Sequence, residues 1–484
     1  MTFIFACDII GVTIAVTKTF GGDFMFRSKG IDITGGPIAK SMFIYALPII
    51  LGSLIQVAFN AADLMVVGKM GGLTSSAAVG AVSPIVSLCV TSFIGLSVGI
   101  NAVLARSLGH KDNERTSRVV NTSIIFAAGL GLFIILACFL FSGSLLKVVN
   151  CDEDYIAGAE LYLKIYAIGV PAILIYNFAA AIIRSMGDTT NPFIYLVISG
   201  ASNVGLNILL CLVMDNKVAA VAIATTASQL VGAILTFVHL VRLDSEVAFN
   251  IKKLSFSFSE LWAILKVGMP SAFNSALFSL SNLQMHAAIN SYGTAATAGN
   301  GAATNLETLV SAFVSGFNVS TVSFVGQNVA ANNPRRVKKS IISAFVMSTS
   351  IAFVVSMILY GFAEYTLWLY LPDTPDGVAG ITYGISRMKF VCRFYAVAAI
   401  SNIIVSSLQA FGYSFIPMMN SIATVLCFRI FWLEVIYPRL DAIKHTIDNV
   451  YVCFTISWLL SLLAHAVMFT IISLRYRKGK VRRI

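Results

Sequence analysis

Long apolar stretches follow one another along almost the whole chain and are separated by short polar connectors such as "MDNKV". Each holds about 20 residues or more, the length at which a helix crosses roughly 30 Å of hydrocarbon. Inside lipid the backbone must satisfy its own hydrogen bonds, so each stretch is expected to be a helix. The predicted spans are 41–68, 76–104, 117–142, 156–183, 192–213, 218–241, 261–290, 295–326, 340–363, 384–410, 413–437 and 450–474. The pattern therefore predicts an all-α polytopic membrane protein with twelve transmembrane helices.

The composition fits a membrane protein and not a soluble one. Of the 484 residues, 57% are hydrophobic and 11% are charged, whereas a soluble domain has about a quarter of its residues charged. A soluble fold of this composition would have too few polar residues to cover its surface.

Lys and Arg are concentrated in every second connector, and this orients the predicted bundle. They gather before the first span, between spans two and three, six and seven, and eight and nine, and in the tail "RYRKGKVRR". The alternate connectors hold few basic residues and carry acidic stretches such as "CDEDY". Because connectors rich in Lys and Arg stay on the cytoplasmic side, we expect a multi-pass protein of the cell membrane (the inner membrane of a bacterium) with both termini in the cytoplasm.

The net charge of +11 follows from this topology. The basic residues lie at the ends of spans, where they contact lipid head groups, and no stacking aromatic residues stand between them. A nucleic-acid-binding function is therefore not expected.

The second half of the chain repeats uncommon residues of the first half. Residues 169–193 align with 396–418, and residues 46–60 align with 268–282. The aligned pairs are Asn177 with Asn402, Gly187 with Gly412, Pro192 with Pro417, Pro48 with Pro270, and Asn60 with Asn282. A duplication of six spans in the same orientation predicts two six-helix lobes related by a pseudo-two-fold axis along the membrane normal. We expect a cytoplasmic leader at 1–40, an amino-terminal lobe at 41–241, a cytoplasmic linker at 242–260, a carboxy-terminal lobe at 261–474 and a basic tail at 475–484.

The first 24 residues are apolar but short, are interrupted by Asp8, and have no basic segment before their hydrophobic part. They do not fit a cleaved signal peptide. They fit either a disordered leader before a protein that begins near Met25 or an interfacial helix.

Several stretches together resemble the multidrug and toxic compound extrusion (MATE) family of transporters. They are "ALPIILGSLIQVAFNAADLMVVGKMGGLTSSAAVGAVSPI", "GDTTNP", "NILL" followed by "VAAVAIATTASQLV", and "FVGQNVAANNPRRVKKS". The resemblance implies a twelve-helix, two-lobe antiporter that exports amphipathic, often cationic organic compounds by alternating access, driven by inward flow of protons or sodium ions. It also implies no cofactor besides the coupling ion, small organic molecules and the bilayer as partners, and a monomer.

Asp63 lies in the first predicted span. Inserting an ionised group at the centre of a membrane helix costs about 2.5–3.5 kcal/mol. Such intramembrane acids usually mark ion or proton pathways. Gln56, Asn60 and Asp63 share one helix face because they are spaced by four and three residues. We predict Asp63 as the ion-coupling acid with Asn60 beside it, and as the ligand if the ion is sodium; the resemblance implies the same role. The alternative is that Asp63 caps a broken helix or forms an interhelical hydrogen bond for packing.

The resemblance implies that the partners of Asp63 come from the amino-terminal lobe, at polar positions that line an ion site in the family. Amide and hydroxyl oxygens suit a hard cation such as sodium. The family often has a further acid in span five, where this chain has Cys211, so a relay of two carboxylates is not expected in this lobe. The alternative for each asparagine is an interhelical hydrogen bond. The matching positions are Asn177, Asn207, and Thr225 or Thr226.

The carboxy-terminal lobe offers a second ion-coupling acid, Glu307, about half way through span eight. Arg429 and Glu434 of span eleven are candidates to neutralise it, or one another, as structural pairs. His286 and His465 titrate near neutral pH in the unperturbed state, but a lone intramembrane histidine more often forms a packing hydrogen bond.

Substrate contacts are expected at Gln56, Asn282 and Asn402. The chain has 34 Phe, 16 Tyr and 15 Met, and a cavity lined by such residues would suit flat lipophilic cations. The alternative is that most of these side chains face lipid or neighbouring helices.

The sequence also allows three other functions to be compared with that of an antiporter. A lipid-linked oligosaccharide flippase of the same superfamily is the main alternative, although its cavity is expected to be rich in Arg and Lys. An enzyme is not expected, because the chain has no HExxH, no GxSxG and no paired-carboxylate motif. A passive channel would not need a duplicated fold with acids in both lobes.

Overall fold

The computed structural model describes residues 30–70, 72–148, 153–243, 249, 254–371, 373–443 and 446–477. The predicted leader up to residue 29 and the tail from residue 478 lie outside these ranges, as do the side chains of Asn60 and Asp63. The backbone at Asn60 and Asp63 is described and is helical.

Helices account for nearly all of the described residues of the first half, and their bounds follow the predicted spans. They are α1 Ile38–Met70, α2 Gly72–His110, α3 Asn113–Val148, α4 Glu153–Ser185, α5 Thr190–Val213 and α6 Lys217–Arg242.

The second half is also helical but more broken. Its helices are α7 Phe258–Asn290, α8 Thr294–Ala330, α9 Pro334–Gly361, α10 Ala363–Trp368, α11 Pro375–Val391, α12 Tyr395–Ala410, α13 Phe415–Ser421, α14 Phe428–Phe431, α15 Tyr437–Ile443 and α16 Asp448–Arg477. A 3₁₀ turn, Cys392–Phe394, joins α11 to α12. Two π-helical segments, Ile422–Cys427 and Trp432–Ile436, flank α14.

Eleven membrane spans are long and apolar enough to cross a bilayer in the part of the chain that the structure describes. The predicted span 261–290 forms α7, which has 33 residues but is not among these eleven. Its sequence "NSALFSLSNLQMH" alternates polar and apolar residues. These polar side chains reduce the hydrophobicity of α7, and two of them, Asn282 and His286, line a cavity.

Local sequence explains where several helices begin. The side chain of Asn333 accepts a hydrogen bond from Arg336 N (3.1 Å) and is followed by Pro334 at the first helical position of α9. Thr374 caps α11 in the same way, again with a proline next. A capping side chain satisfies a free backbone N–H of the first turn, and proline has none to satisfy.

The predicted repeat is visible in the backbone. Gly187 follows α4 and Gly412 follows α12, and both have a positive φ, 95° and 85°. Only glycine adopts such angles without strain. The two glycines that the sequence alignment pairs therefore form the same kind of turn at the same place in each half.

The chain divides into two compact units. One contains the described residues up to Asp32 and those of Leu51–Ile264; the other contains Ile33–Ile50 and the described residues of Leu265–Ile484. The amino-terminal part of α1 belongs to the second unit because it packs on α8. There, Tyr45 Oη lies 2.8 Å from Ser323 Oγ, and Gly316 leaves room for Ile50.

Candidate functional site

A polar cavity of about 170 Å³ lies inside the second unit, between α7, α8, α11, α12 and α16. The side chains on its wall include two that are ionisable and opposite in charge, together with an amide, an imidazole and two aromatic rings. They are Glu307, Arg387, Asn282, His286, Tyr395 and Phe454. Charged groups buried within membrane spans are costly and are usually functional, so this cavity is the main candidate site.

Small residues bring α8 and α11 together at this cavity. A Cβ on Gly299 would lie 2.0 Å from the carbonyl oxygen of Gly380, so only glycine fits there. Gly384, one turn further along α11, is also too close to Leu367 and to the carbonyl of Gly299 for a side chain. Close backbone contact of this kind is typical of helix pairs in membranes. It places the next residues of both helices within reach of one another.

The result of this close contact is a buried ion pair between Arg387 of α11 and Glu307 of α8. Arg387 Nε lies 2.6 Å from Glu307 Oε1, and Arg387 Nη2 lies 2.8 Å from Oε2. The side chains are 6% and 12% exposed. Both carboxylate oxygens are thus engaged in a two-point contact, the strongest arrangement of a guanidinium with a carboxylate.

Asn300 extends the ion pair to the histidine on the opposite wall. Arg387 Nη1 donates to Asn300 Oδ1 (2.7 Å), and Asn300 Nδ2 lies 2.9 Å from His286 Nδ1. Glu307, Arg387, Asn300 and His286 therefore form one continuous chain of hydrogen bonds across α8, α11 and α7.

Arg429 is a second buried arginine next to the cavity, 1% exposed. It lies on α14, between the two π-helical segments; such segments in membrane helices frequently accompany functional sites. It donates through Nη1 to Asn282 Oδ1 (2.9 Å) and through Nε to Ser457 Oγ (3.2 Å). Its Cζ lies 4.5 Å from the centre of the Phe454 ring, and that of Arg387 lies 4.8 Å from the same centre.

The partner of Glu307 differs from the two candidates named from the sequence. Neither Arg429 nor Glu434 forms an ion pair with Glu307; Arg387 does. Arg387 is not among the predicted residues, because the predicted span 384–410 puts it near the membrane surface. In the structure α11 begins at Pro375, so Arg387 lies about three turns inside the helix. The spacing Gly380, Gly384, Arg387 on one helix face was the available signal.

In the first unit, a line of polar side chains runs from α5 to α6. Asn207 is fully buried and its Nδ2 lies 3.3 Å from Asn203 Oδ1, while Asn203 Nδ2 lies 3.4 Å from Thr225 Oγ1. The structure thus connects the predicted residues Asn207 and Thr225 through Asn203, which was not predicted. Thr226 instead donates to the carbonyl of Ile165 on α4 (3.1 Å).

The remaining predicted residues are placed as follows. Asn177 Nδ2 donates to the carbonyl of Ile173 in its own helix (2.8 Å), and Gln56 and Asn402 are exposed. Asn282 is on the wall of the cavity in the second unit, and its role as a substrate contact stays a prediction.

The contact of α1 with α5 places the backbone around Asp63. Gly52 of α1 is next to Phe193 and Leu196 of α5, and Phe59 packs so closely on Gly200 that a Cβ there would lie 1.9 Å from the ring. Contacts advance along both helices in the same direction. The next turn of α1, which carries Asp63, therefore runs beside the turn of α5 that follows Gly200.

A family model described as MatE matches residues 48–213 and 270–432, more than half of the chain. The chain belongs to the MATE family of transporters. The matched ranges lie in both halves of the sequence, in agreement with the internal repeat. Family membership confirms the resemblance stated from the sequence and the expectation that the protein is not an enzyme.

Solved structures show that this MATE transporter has the family fold. A crystal structure of MATE in complex with MaL6 superposes with a TM-score of 0.86 at 20% identity, covering 93% of this chain and all (100%) of that one. An outward-facing multidrug resistance MATE family transporter of the MOP superfamily gives 0.85 at 20% identity, covering 93% and 99%. The predicted all-α polytopic fold is confirmed.

Similar curated proteins come from bacteria. The probable multidrug resistance protein YpnP of Bacillus subtilis (strain 168) is 26% identical over 385 residues, 79% of this MATE transporter and 85% of YpnP. The probable multidrug resistance protein YoeA of the same strain is 24% identical, covering 80% and 84%. The multidrug export protein MepA of Staphylococcus aureus (strain MSSA476) is 25% identical, covering 70% and 74%.

Proposed function

We propose that this protein is a multidrug exporter, a secondary active antiporter that moves amphipathic organic compounds out of the cell by alternating access. Its relatives YpnP, YoeA and MepA carry names of multidrug resistance or export proteins, which supports this substrate range. Inward flow of protons or sodium ions supplies the driving force in this proposal.

The observation that carries the proposal is the polar cavity of the second unit. Glu307 lies in the membrane span Thr294–Ala330 and Arg387 in the span Pro375–Ala410. Charged side chains inside membrane spans cost free energy and are usually functional, so a pathway for polar cargo is the simplest reason for their position. The aromatic rings of Tyr395 and Phe454 on the same wall suit the apolar part of an amphipathic molecule.

Asp63 is the coupling acid in this proposal, and two observations support it over Glu307. Both carboxylate oxygens of Glu307 are engaged by Arg387, so an incoming cation would first have to displace a guanidinium. Phe59, four residues before Asp63, packs on Gly200, three residues before Asn203, and Asn207 is bonded to Asn203, which supports a site for Asp63 near this pair. Amide oxygens and a carboxylate form a suitable set for a hard cation, and the carboxylate alone serves a proton.

The lipid-linked oligosaccharide flippase is favoured by one observation, the two buried arginines near the cavity. A pyrophosphate would pair with them. Of the two arginines, only Arg387 is on the cavity wall, and it is already paired with Glu307, which argues against this function.

Gradient-driven dye efflux tests the proposed function. Proteoliposomes or inverted vesicles carrying the full chain should transport a fluorescent aromatic cation when either a proton or a sodium gradient is imposed, and the effective gradient names the ion. Asp63→Asn should abolish gradient-driven transport, because an amide neither takes up a proton nor balances the charge of sodium. The matched control is Asp376→Asn, at an exposed acid in the first turn of α11, which should transport at the wild-type rate. Full transport by a normally inserted Asp63→Asn protein would contradict the assignment of Asp63.

A further inference from the structure

The polar cluster of the second unit carries more positive than negative charge. Arg387 and Arg429 are both buried, and Glu307 is the only carboxylate that forms an ion pair with either of them within the described residues. Arg429 is held by neutral oxygens of Asn282, Ser281 and Ser457. Because a buried guanidinium without a counter-charge is destabilising, the cluster favours an incoming anion and disfavours a second cation.

Arg429 fixes the orientation of Asn282 on the cavity wall. A guanidinium only donates hydrogen bonds, so the atom of Asn282 that faces Arg429 must be the carbonyl oxygen Oδ1 (2.9 Å). The amide group Nδ2 then points away from Arg429 and has no acceptor in the part of the chain that the structure describes. Asn282 is exposed and lies on the cavity wall, so its two N–H donors are accessible to a ligand there.

Arg387 determines the orientation of Asn300, and through Asn300 the position of the ring proton on His286. Because Arg387 donates to Asn300 Oδ1, the group of Asn300 that meets His286 Nδ1 is the donor Nδ2 (2.9 Å). His286 Nδ1 is thus an acceptor and carries no proton, which places the ring proton on Nε2. Among the described residues Nε2–H has no acceptor, and the ring lines the cavity.

The two threonines of α8 on the cavity wall use their hydroxyl protons within their own helix. Thr304 donates its hydroxyl proton to the carbonyl of Asn300 (2.8 Å), and Thr308 donates to that of Thr304 (3.0 Å). On α7, Asn282 and His286 are four residues apart and share one helix face, so their N–H donors lie side by side on the cavity wall.

The size of the cavity suits a small aromatic ligand. A volume of about 170 Å³ exceeds slightly the 150 Å³ that holds one benzene molecule. It accommodates a single aromatic ring with a small substituent, and Phe454 and Tyr395 provide ring surfaces beside the donors.

From these contacts we propose that Asn282 and His286 of α7 form a subsite for the anionic group of an aromatic carboxylate, with Arg429 and Arg387 as the positioning residues behind them. The proposal rests on the proposed export function and deepens it, because it names aromatic carboxylates as a class of amphipathic cargo that this cavity binds. Two donors backed by excess positive charge match the two oxygens of a carboxylate.

Three probes of nearly equal shape and different charge test this subsite. Equilibrium binding of radiolabelled benzoate to the purified full-length chain is measured with competition by unlabelled benzoate, neutral benzamide and cationic benzamidine. Benzoate should compete at least ten-fold more effectively than benzamide, and benzamidine should compete least, since charged partners form the stronger hydrogen bonds.

The decisive variant is Asn282→Asp, which keeps the shape of the side chain. The new carboxylate pairs with Arg429 and so preserves its contact, but it removes the N–H donors and the excess positive charge. Benzoate binding should fall by about ten-fold or more. The matched control is Asn290→Asp at the exposed end of the same helix, which should bind as the wild type does.

Any one of three results would overturn the subsite. They are benzamidine binding as tight as benzoate binding, no saturable benzoate binding, and wild-type benzoate binding by Asn282→Asp. Dye efflux separates this outcome from the export function. Gradient-driven efflux of a cationic dye without benzoate binding removes the subsite and leaves the exporter. Benzoate binding without efflux in either gradient keeps the subsite and removes the exporter.

Discussion

At the scale of single residues, the carboxy-terminal cavity is organised by arginines and not by acids. Arg387 engages both oxygens of Glu307, and through Asn300 it sets the hydrogen bonding of His286. Arg429 does the same for Asn282. Glu307, the acid predicted from the sequence, is therefore the counter-ion of Arg387, which was not predicted.

Removal of Glu307 alone should destabilise the protein strongly. Glu307→Gln leaves Arg387 buried without its counter-ion, which costs about 3–5 kcal/mol when one partner of a buried pair is lost. The double variant with Arg387→Met should recover much of this loss, because neither charge remains. Unfolding of the purified protein in detergent measures both effects. Glu364→Gln, the same change at an exposed acid of α10, should stay within about 0.5 kcal/mol of the wild type; an equal loss there would contradict the interpretation.

At the scale of elements, close packing of α8 on α11 decides whether the ion pair forms. Gly299 allows the backbones to approach until no Cβ fits between them, and Asn300 and Glu307 follow on α8. The hydrophobic pattern predicted both helices but not which faces meet. The glycines at 380 and 384 are compatible with many helix partners, and only the structure shows that Gly299 is the one they contact.

Two glycines of α8 provide a matched test of this packing. Gly299→Ala should destabilise the protein by about 1–3 kcal/mol, the usual cost of overpacking, because the new methyl group would lie 2.0 Å from the carbonyl of Gly380. Gly301→Ala should be neutral or stabilising by up to about 1 kcal/mol, since no atom lies within 4 Å of the new Cβ and alanine favours helix. Detergent unfolding compares the two, and equal effects would show that the contact with α11 is not limiting.

At the scale of the whole molecule, the membrane spans follow the predicted series with one exception in hydrophobicity. α7 is too polar to be among the eleven apolar membrane spans of the described residues. It nevertheless supplies Asn282 and His286 to the cavity. The span that departs from the apolar pattern thus contributes two polar side chains to the cavity wall.

The distribution of basic residues predicts the orientation of the chain. Arg335 lies in the first turn of α9, directly after the connector from α8, and Asp373 lies in the acidic connector before α11; both are exposed. In a variant without native cysteines, Arg335→Cys should react with a membrane-impermeant maleimide only in inverted vesicles, and Asp373→Cys only in intact cells or right-side-out vesicles. The reverse pattern would place both termini outside the cytoplasm.

The sequence by itself determined the fold class. The apolar length of each span and the need of a backbone in lipid to satisfy its own hydrogen bonds are local properties of the chain, and the internal repeat is read directly from the aligned residues. It also identified Glu307, Asn207, Thr225 and Asn282 as polar residues in apolar surroundings. Only the tertiary structure decided their partners. A hydrogen bond or ion pair between helices depends on helix register and on the approach that small residues permit, and neither is encoded in the hydrophobicity of a single span. Hence Arg387 and Asn203, which connect the predicted residues to one another, became visible only when their helices were packed.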